Sequence, residues 1–530
     1  MNGYSKLTLR LTVAHLSTLF SSTACLLLVC CLPNTSAIAQ SRGSIELDFR
    51  DKESDQSLDC RVKILAADGK PQRVRGMLYQ QGWTLWEVAD RYSGRVGDYT
   101  YQAFHGPQYA AASGGFTLDR KSSAKEVVPL PRHADLALEG WRGGDLLSYV
   151  DSDETLRWLS AEDLLMAAVV SETATVGADA PKVLTSSNAR TASDIESSWW
   201  VEANSYYDVR PGSGLILHHW LPPAIVPANV PSSRLLDMAK TALLATDELP
   251  VHAEIGRLWE RDVPIWLASG HIDSIQLLGS HLTYDGQRQT PVEPLVDPDP
   301  GRFRGPHAGG RLVEYLYWQV LECGLRIAPT AGSGFGRNGS PLGYNRVYAY
   351  SPNPSRAAWW QAVRDGQAFV TSGPLLRATV NGELPGKVFA APAGSSIELD
   401  IALTLTVADP VEYLEVVYNG GTLYRARLDE YARQAGKIPP QTVRESGWLL
   451  IRVVTERDQT YRIASTAPYY IEIGGRPRIS ARAVAFFQSW LEKSAAQINQ
   501  QGEPLRQAAG QYLATARSFW SDRAEGATAE

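Results

Sequence analysis

Between about residue 136 and residue 374 the chain alternates short apolar runs with helical patterns, and this alternation constrains the fold more than any other feature. The strand-like runs lie at 167–170, 214–217, 264–268, 272–278, 345–350 and 368–370. The clearest helical pattern is 311–325, where Leu312, Tyr315, Leu316 and Val320 follow the 3.6-residue period and Gln319 is the polar exception. Strands separated by helices bury both faces of their sheet, so the expected class here is α/β, a layered sheet or a barrel. In such folds the chemistry sits at the C-terminal ends of the strands. A stretch rich in Pro, Gly and Asp, 285–310, reads as a long excursion loop.

The flanks read as all-β. In 43–135, Val62 and Ile64 alternate with polar neighbours before an Asp68-Gly69 turn, and Tyr99, Tyr101 and Ala103 repeat the two-residue period. A small sandwich is expected there, ended by Pro129 and Pro131. A second is expected over 375–476, where Ile397, Leu399, Ile401, Leu403, Leu405 and Val407 predict one half-buried strand and Asn419-Gly420 a turn. Residues 477–530 read as a helical tail. Val484, Phe487 and Leu491 mark a helix over 480–492, while the last two dozen residues, polar and rich in Ala and Gln, predict a loosely attached helix or frayed end.

Residues 1–39 read as an export signal. Lys6 and Arg10 are their only charges, an apolar run follows at 26–32, and Ala37-Ile38-Ala39 offers a small-x-small cleavage site. An uncleaved anchor over 11–32 is the alternative. No later segment is long and apolar enough to span a membrane, and the expected location is periplasmic, extracellular or at the cell surface. Beyond the signal only Cys60 and Cys323 remain, in different predicted domains, which makes no disulfide framework and predicts buried free thiols. A formal net charge of −6 argues against a dedicated nucleic-acid binder.

Several local patterns could carry chemistry. Residues 140–149 are followed by Asp151, Asp153 and Glu154, which could bind a divalent cation but read more simply as a solvated loop. Thr330-Ala331-Gly332-Ser333-Gly334-Phe335-Gly336 lacks the Lys of a P-loop and reads as a tight turn. The nine histidines form no HxH, HxxxH or DxH pattern. Adjacent histidines on a strand point to opposite faces, so at most one of His218 and His219 should face a pocket. Ten of the fifteen tryptophans fall between Trp141 and Trp360, where a large core is their expected destination. No G-x-S-x-G elbow is present, and neither late cysteine has an evident His neighbour.

Taken together, these motifs resemble a known family. Gly140-Trp141-Arg142-Gly143-Gly144-Asp145-Leu146, Ala161-Glu162-Asp163-Leu164, Pro264 to Gly270 with Ile272-Asp273-Ser274-Ile275, and Thr330-Ala331-Gly332-Ser333 follow one another in its order. So do Gly343 to Tyr348, Val370 to Leu375 and Val380 to Gly386. The set is similar to exported members of the PHP (polymerase and histidinol phosphatase) superfamily, specifically the CehA/McbA branch named for carbamate-ester hydrolases. The resemblance implies a distorted (β/α)₇ barrel flanked by N-terminal and C-terminal β-sandwiches. It also implies two or three metal ions that activate water against an ester or phosphoester.

This chain departs from the ligand pattern that the resemblance implies. Leu147 and Tyr149 stand where active members carry Gly-Asp-Leu-His-x-His histidines. Gly334 and Gly336 stand at the Gly-Ser-Asp-x-His ligands, and Gln276 replaces the Glu of Asp-x-Ile-Glu. Leucine and glycine offer no donor atom, and even one catalytic zinc wants about three protein ligands. The expectation is therefore a degenerate centre in a non-catalytic protein that binds a small-molecule or carbohydrate ligand or serves as a scaffold, with no cofactor. The alternative is a metal-dependent ester or phosphoester hydrolase with a reorganised site holding Zn, Mn or Fe. Candidate barrel-mouth residues are Asp145, Tyr149, Asp208, His219, Glu254, Asp273, His281 and Ser333. The alternative requires His281, Asp273 and either Asp145 or Glu254 to converge.

Overall fold

The computed structural model of the protein describes residues 42–172, 184–185, 199–220, 230–241, 249–286, 289–299, 301–337, 339–434 and 436–530. The expected export signal and its cleavage site, residues 1–39, lie outside the described residues. What is described is mixed α/β, with several sheets and more strand than helix. Among the described residues, no helix is long and apolar enough to cross a membrane.

Two N-terminal sheets face one another across a shared core. Arg42–Asp51 pairs in parallel with Ser123–Leu130 and antiparallel with Arg91–Arg95. The other sheet runs Tyr79–Gln80, Trp83–Trp86, Cys60–Ala66, Gly97–Phe104, Ala112–Leu118. Strand alternation sends Ile45, Leu47 and Phe49 from the first sheet, and Val62, Ile64, Tyr99, Tyr101 and Ala103 from the second, into one apolar cluster. Pro129 lies within its strand opposite Arg50, rather than ending the β region.

The longest ladder starts at Ala328–Ala331. It passes through Ser274–Leu278, His252–Ile255, Leu215–His218, Trp200–Asp208 and Met166–Ser171 to Trp141–Ser148, then continues into Arg346–Tyr350 and Ala368–Thr371. One face is covered by Ser232–Thr241, Val263–Ser269, Ala308–Glu322 and Arg356–Arg364, whose apolar sides share a core with Leu215, Leu217, Ala253, Ile255, Ile275 and Leu277. No strand pairing closes the ladder into a ring among the described residues. An isolated parallel bridge between Ser148 and Phe335 joins the end of Trp141–Ser148 to the loop after Ala328–Ala331. The ladder does not stop near residue 374 either. Phe369, Val370 and Thr371 pair with Thr466, Ser465 and Ala464, so Gly447–Thr455, Val411–Tyr418 and Gly421–Ala426 belong to the same sheet.

Three sequence expectations are corrected. Residues 264–268 were expected to be extended but lie in the helix Val263–Ser269, with Pro264 in its first turn and Gly270 at φ 69 ending it. A short buried apolar run carries no period of its own, and the Pro and Gly at its ends decide the outcome. The alternating run 397–407 is two strands in two sheets. Ile397–Leu399 pairs with Gln441–Val443 and Ile401–Thr406 with Leu375–Val380, the change falling at Asp400, whose backbone N–H is held by the Asn381 side chain at 2.7 Å.

The third correction concerns the C-terminus, which is docked rather than frayed. Helix Glu503–Glu525 buries Ala509, Leu513, Ala516 and Trp520, a stripe at helical spacing that its polar composition conceals. Trp520 stacks on Phe487 of Ala481–Asn499 with ring centroids 5.0 Å apart, and its indole N–H donates to the Pro264 carbonyl at 3.0 Å. The buried thiols of Cys60 and Cys323 are both free.

Candidate functional site

The face of the long ladder opposite the helices carries polar residues at alternate positions. In His252–Ile255, Ala253 and Ile255 enter the apolar core, so period two turns His252 and Glu254 the other way. Register then lines up neighbours: Ser205 opposite His218, His218 opposite His252, Glu254 opposite Ser274, and Gln276 opposite Thr330. All of these side chains are buried.

Glu254 is the hub. Its Oε1 accepts from the Gln276 amide at 2.6 Å, and its Oε2 accepts from Ser274 Oγ at 2.9 Å and from the Thr330 hydroxyl. His218 Nε2 stands 3.7 Å from Oε1, and its Nδ1 lies 2.8 Å from Ser205 Oγ. His252 Nε2 lies 2.8 Å from Ser274 Oγ. Burial, reinforced by His218, holds the His252 imidazole well below its ordinary pKa, so it stays neutral. Trp360 presses on this end, its ring 5.2 Å from His218 and 4.7 Å from His252.

Apolar side chains close the other side of the cluster. Leu147, Val170, Tyr207 and Ile216 form a cluster with Tyr149 packed against it. A Cβ at Gly332 would collide with Leu147 Cβ and stand 2.9 Å from Gln276 Nε2, so glycine is required for the loop after Ala328–Ala331 to approach.

Of the eight candidate barrel-mouth residues, only Glu254 belongs to this cluster. Asp145 and Ser333 meet each other at a backbone clamp. Asp145 Oδ1 accepts from the N–H groups of Leu147 at 3.0 Å and Ser333 at 2.9 Å, and Oδ2 accepts from Gly343 N–H at 2.7 Å. Burial outweighs these hydrogen bonds and pushes the carboxyl up to about 6. The Ser333 hydroxyl is spent on Asn345, whose N–H donates to it at 3.0 Å. Asp208 is held by Arg210 at 2.7 Å and Ser213 at 2.9 Å. Asp273 accepts from the Ala253 N–H at 2.7 Å and pairs with Lys240. Tyr149 carries the Arg337 guanidinium 3.9 Å over its ring.

His281 lies edge-on to Trp259, ring centroids 5.4 Å apart, and neither ring nitrogen has a hydrogen-bond partner of good geometry. Burial lowers its pKa to about 3, although the Leu277 carbonyl near the ring acts the other way. His219 faces Glu202, Nε2 to Oε2 3.5 Å, and Arg356 reaches the same oxygen at 2.6 Å. Burial pushes the Glu202 carboxyl up, yet His219 and Arg356 together hold it at about 2.

The opposite-faces expectation for His218 and His219 fails. Leu215–His218 ends at the first histidine, and His219 turns at φ 58, which brings its ring to 4.8 Å from the same Trp360. The acidic run after residue 150 is a helix start: Asp151 accepts the Glu154 N–H at 3.0 Å and caps Ser152–Ala161. The candidate set omits Ser205, His218, His252, Ser274 and Thr330, although the histidines stand out singly in the sequence and Ser274 and Thr330 lie in the motifs that carry the family resemblance. The available signal was polar residues at period two inside strands that otherwise read as continuously apolar.

Among the described residues, no three His, Cys, Asp or Glu side chains come together as a metal ion would require. No family model matches the chain, and no curated protein matches it. Among solved structures, the minor pilin GBS52 of Streptococcus agalactiae is 14% identical over 18% of this chain and 47% of its own, with a TM-score of 0.16. A shaft pilin of Lactobacillus rhamnosus GG is 17% identical over 18% of this chain and 49% of its own, with a TM-score of 0.13. The chain thus spans about half the length of the pilins it matches. A β-glucuronidase of Parabacteroides merdae is 11% identical over 78% of this chain and 60% of its own, with a TM-score of 0.16. At these scores none of the three assigns a fold or an activity to this chain.

Proposed function

We propose that the chain is an exported, PHP-like protein of the CehA/McbA type whose metal centre has degenerated, and that it acts as a non-catalytic ligand-binding or scaffold protein. The observation that carries this reading is the pairing of Gln276 with Glu254. A carboxylate at 276 would set two like charges side by side and call for a cation between them. The amide instead donates an N–H to Glu254 and leaves that oxygen satisfied without one. Leu147, packed against Gly332, fills the adjoining space with carbon. The residues present therefore do not fit the two- or three-metal cluster of the family.

The distorted barrel belongs to the same proposal. Its support is the Ser148–Phe335 bridge, where Tyr149 N–H donates to the Phe335 carbonyl and Gly334 N–H to the Leu147 carbonyl, each at 2.9 Å. The rival hydrolase reading needs Asp273 and His281 to join Asp145 or Glu254. Each of them has separate company: Lys240, Trp259, the backbone clamp and the Gln276 amide.

The test is metal analysis of protein expressed in medium supplemented with Zn, Mn and Fe, alongside turnover of carboxylic and phosphoric ester substrates. Substoichiometric metal and no turnover are expected. Stoichiometric metal together with turnover that a chelator abolishes overturns the reading.

A further inference from the structure

A cleft of about 790 Å³ opens where the N-terminal sheets, the middle of the chain and the C-terminal strands meet. Its size is typical of a small-molecule site, about 300–1,000 Å³. Arg61, Arg346, Arg457 and Arg462 line it, against the carboxylates of Glu162, Asp285 and Asp409. On a chain of formal net charge −6 this is a locally cationic surface.

The pairing inside the cleft is unequal. Arg61 and Arg346, 8% and 4% exposed at their side chains, share the single buried carboxylate of Glu162. Arg61 Nε stands 2.6 Å from Glu162 Oε1, whereas Arg346 Nη2 remains 3.8 Å from Oε2. Arg61 Nε and Nη1 are both buried without a hydrogen-bond partner of good geometry, so the contact with Glu162 is an ion pair and not a hydrogen bond. Arg61 lines the cleft while its Nη1 donor goes unmatched, a free-energy cost that a shift of the guanidinium toward an oxyanion in the cleft would recover. Farther along, Arg457 and Arg462 share Asp409, at 2.6 and 2.7 Å.

The apolar part of the lining is aromatic, with Phe104, Tyr109, Tyr284 and Tyr344. Arg61 lies 4.8 Å from the Phe104 ring centroid and 5.9 Å from that of Tyr284, and the buried Trp83 ring backs it at 4.4 Å. Tyr284 is 37% exposed, an unusual state for a large ring in this chain. Rings of this kind offer a flat apolar face beside fixed hydrogen-bonding groups, a combination suited to a compact polyhydroxylated body.

We propose that this cleft binds a small sugar-like compound carrying an oxyanion, a carboxylate or a phosphate, with Arg61 receiving the charged group and Tyr284 flanking the body. The proposal rests on the ligand-binding reading above and names its site and ligand class. Arg61 contributes a planar fork that lysine cannot reproduce, so Arg61→Lys keeps the charge and removes the geometry.

The experiment titrates the full mature chain with galacturonate, with a galactose phosphate and with neutral galactose by calorimetry. At least one anionic sugar is expected to bind at least about tenfold more tightly than galactose, a difference of roughly 1.4 kcal/mol. The tighter of the two identifies the oxyanion. Arg61→Lys should weaken that binding about tenfold, and Arg457→Ala, a change at a half-exposed side chain, about twofold to threefold. Arg457→Ala with the galactose comparison decides the matter should Arg61→Lys fail to fold. The proposal is overturned if neither anion binds at about 10 mM, if galactose binds equally well, or if the folded variants bind the anion as the parent does. Metal content is measured on the same preparation. Stoichiometric metal with turnover would remove the non-catalytic reading and leave anion binding at Arg61 standing, whereas absent anion binding removes only this site.

Discussion

The amide of Gln276 donates to Oε1 of Glu254 across 2.6 Å, and both side chains are fully buried. A neutral donor beside a buried carboxylate is a self-sufficient arrangement, and its energetic meaning can be tested by restoring a charge. Gln276→Glu would place a second carboxylate against the first. Both would then favour the proton in the folded state more than in the unfolded chain, so the variant should be destabilised at neutral pH and recover as pH falls toward about 5. A loss of about 3 kcal/mol at about pH 7 is expected in urea unfolding, corresponding to two pKa units or slightly more. Parent-like stability at neutral pH would show that something other than the Gln276 amide compensates Glu254.

Gly332 and Leu147 should behave as a coupled pair. Adding a methyl at Gly332 drives a Cβ into Leu147. Gly332→Ala is expected to cost about 1–3 kcal/mol by overpacking. Leu147→Ala should cost about 2–5 kcal/mol through the cavity it leaves. The double variant should cost less than the sum of the two, because the cavity accepts the new methyl. Simple additivity in the unfolding free energies would mean that the two residues do not compete for the same space.

How far these relationships could be read from sequence depends on what kind of pattern each residue sits in. The two-residue period at Tyr99, Tyr101 and Ala103 survived intact because one face of that strand meets a core and the other meets water. Strands such as His252–Ile255 are buried on both faces, so hydrophobicity loses its contrast and the inward polar row of His252 and Glu254 is hidden inside a short run. Glu254 was legible as a candidate carboxylate, although the strand His252–Ile255 that carries it was not. Its partners Ser274, Thr330 and Gln276 lie 20, 76 and 22 residues away, a distance no local pattern spans. Asp145 was legible for the wrong reason. Its oxygens face backbone N–H groups of residues 188 and 198 positions later, so it fastens two loops to a strand.

The C-terminal helix offers a test at a site remote from the polar cluster. Trp520 is fully buried, stacked on Phe487 and hydrogen-bonded to the Pro264 carbonyl at 3.0 Å. Trp520→Ala should destabilise the chain by about 3–5 kcal/mol. Removing residues 503–530 should lower the melting temperature and expose Phe487 to solvent, readable as increased binding of a hydrophobic dye. A truncated chain with unchanged melting temperature and no added dye binding would mean that the helix contributes nothing to the core.

His281 sets an acid limit on stability. Its folded-state pKa is lowered from 6.5 to about 3 by burial beside Trp259. The sign follows directly. Below 6.5 the unfolded chain takes up a proton that the folded chain refuses, so stability falls as pH drops through that window and levels off only near 3. At about pH 5 this one imidazole should cost about 2 kcal/mol relative to neutral pH. His252, whose pKa is also held well below the ordinary value by burial, acts in the same direction. Asp145 acts oppositely. Its carboxyl is raised from 3.8 to about 6, so the folded chain binds that proton more tightly and gains stability as pH falls through this interval. The two contributions overlap between about pH 4 and pH 6, and substitution separates them. His281→Leu removes the titrating ring and keeps an apolar side chain against Trp259. The urea midpoint of the variant, measured relative to that of the parent, should therefore rise as pH falls from neutral toward about 5, as the parent loses stability that the variant cannot lose. A constant difference between the two midpoints across that range would show that His281 does not resist protonation in the folded chain.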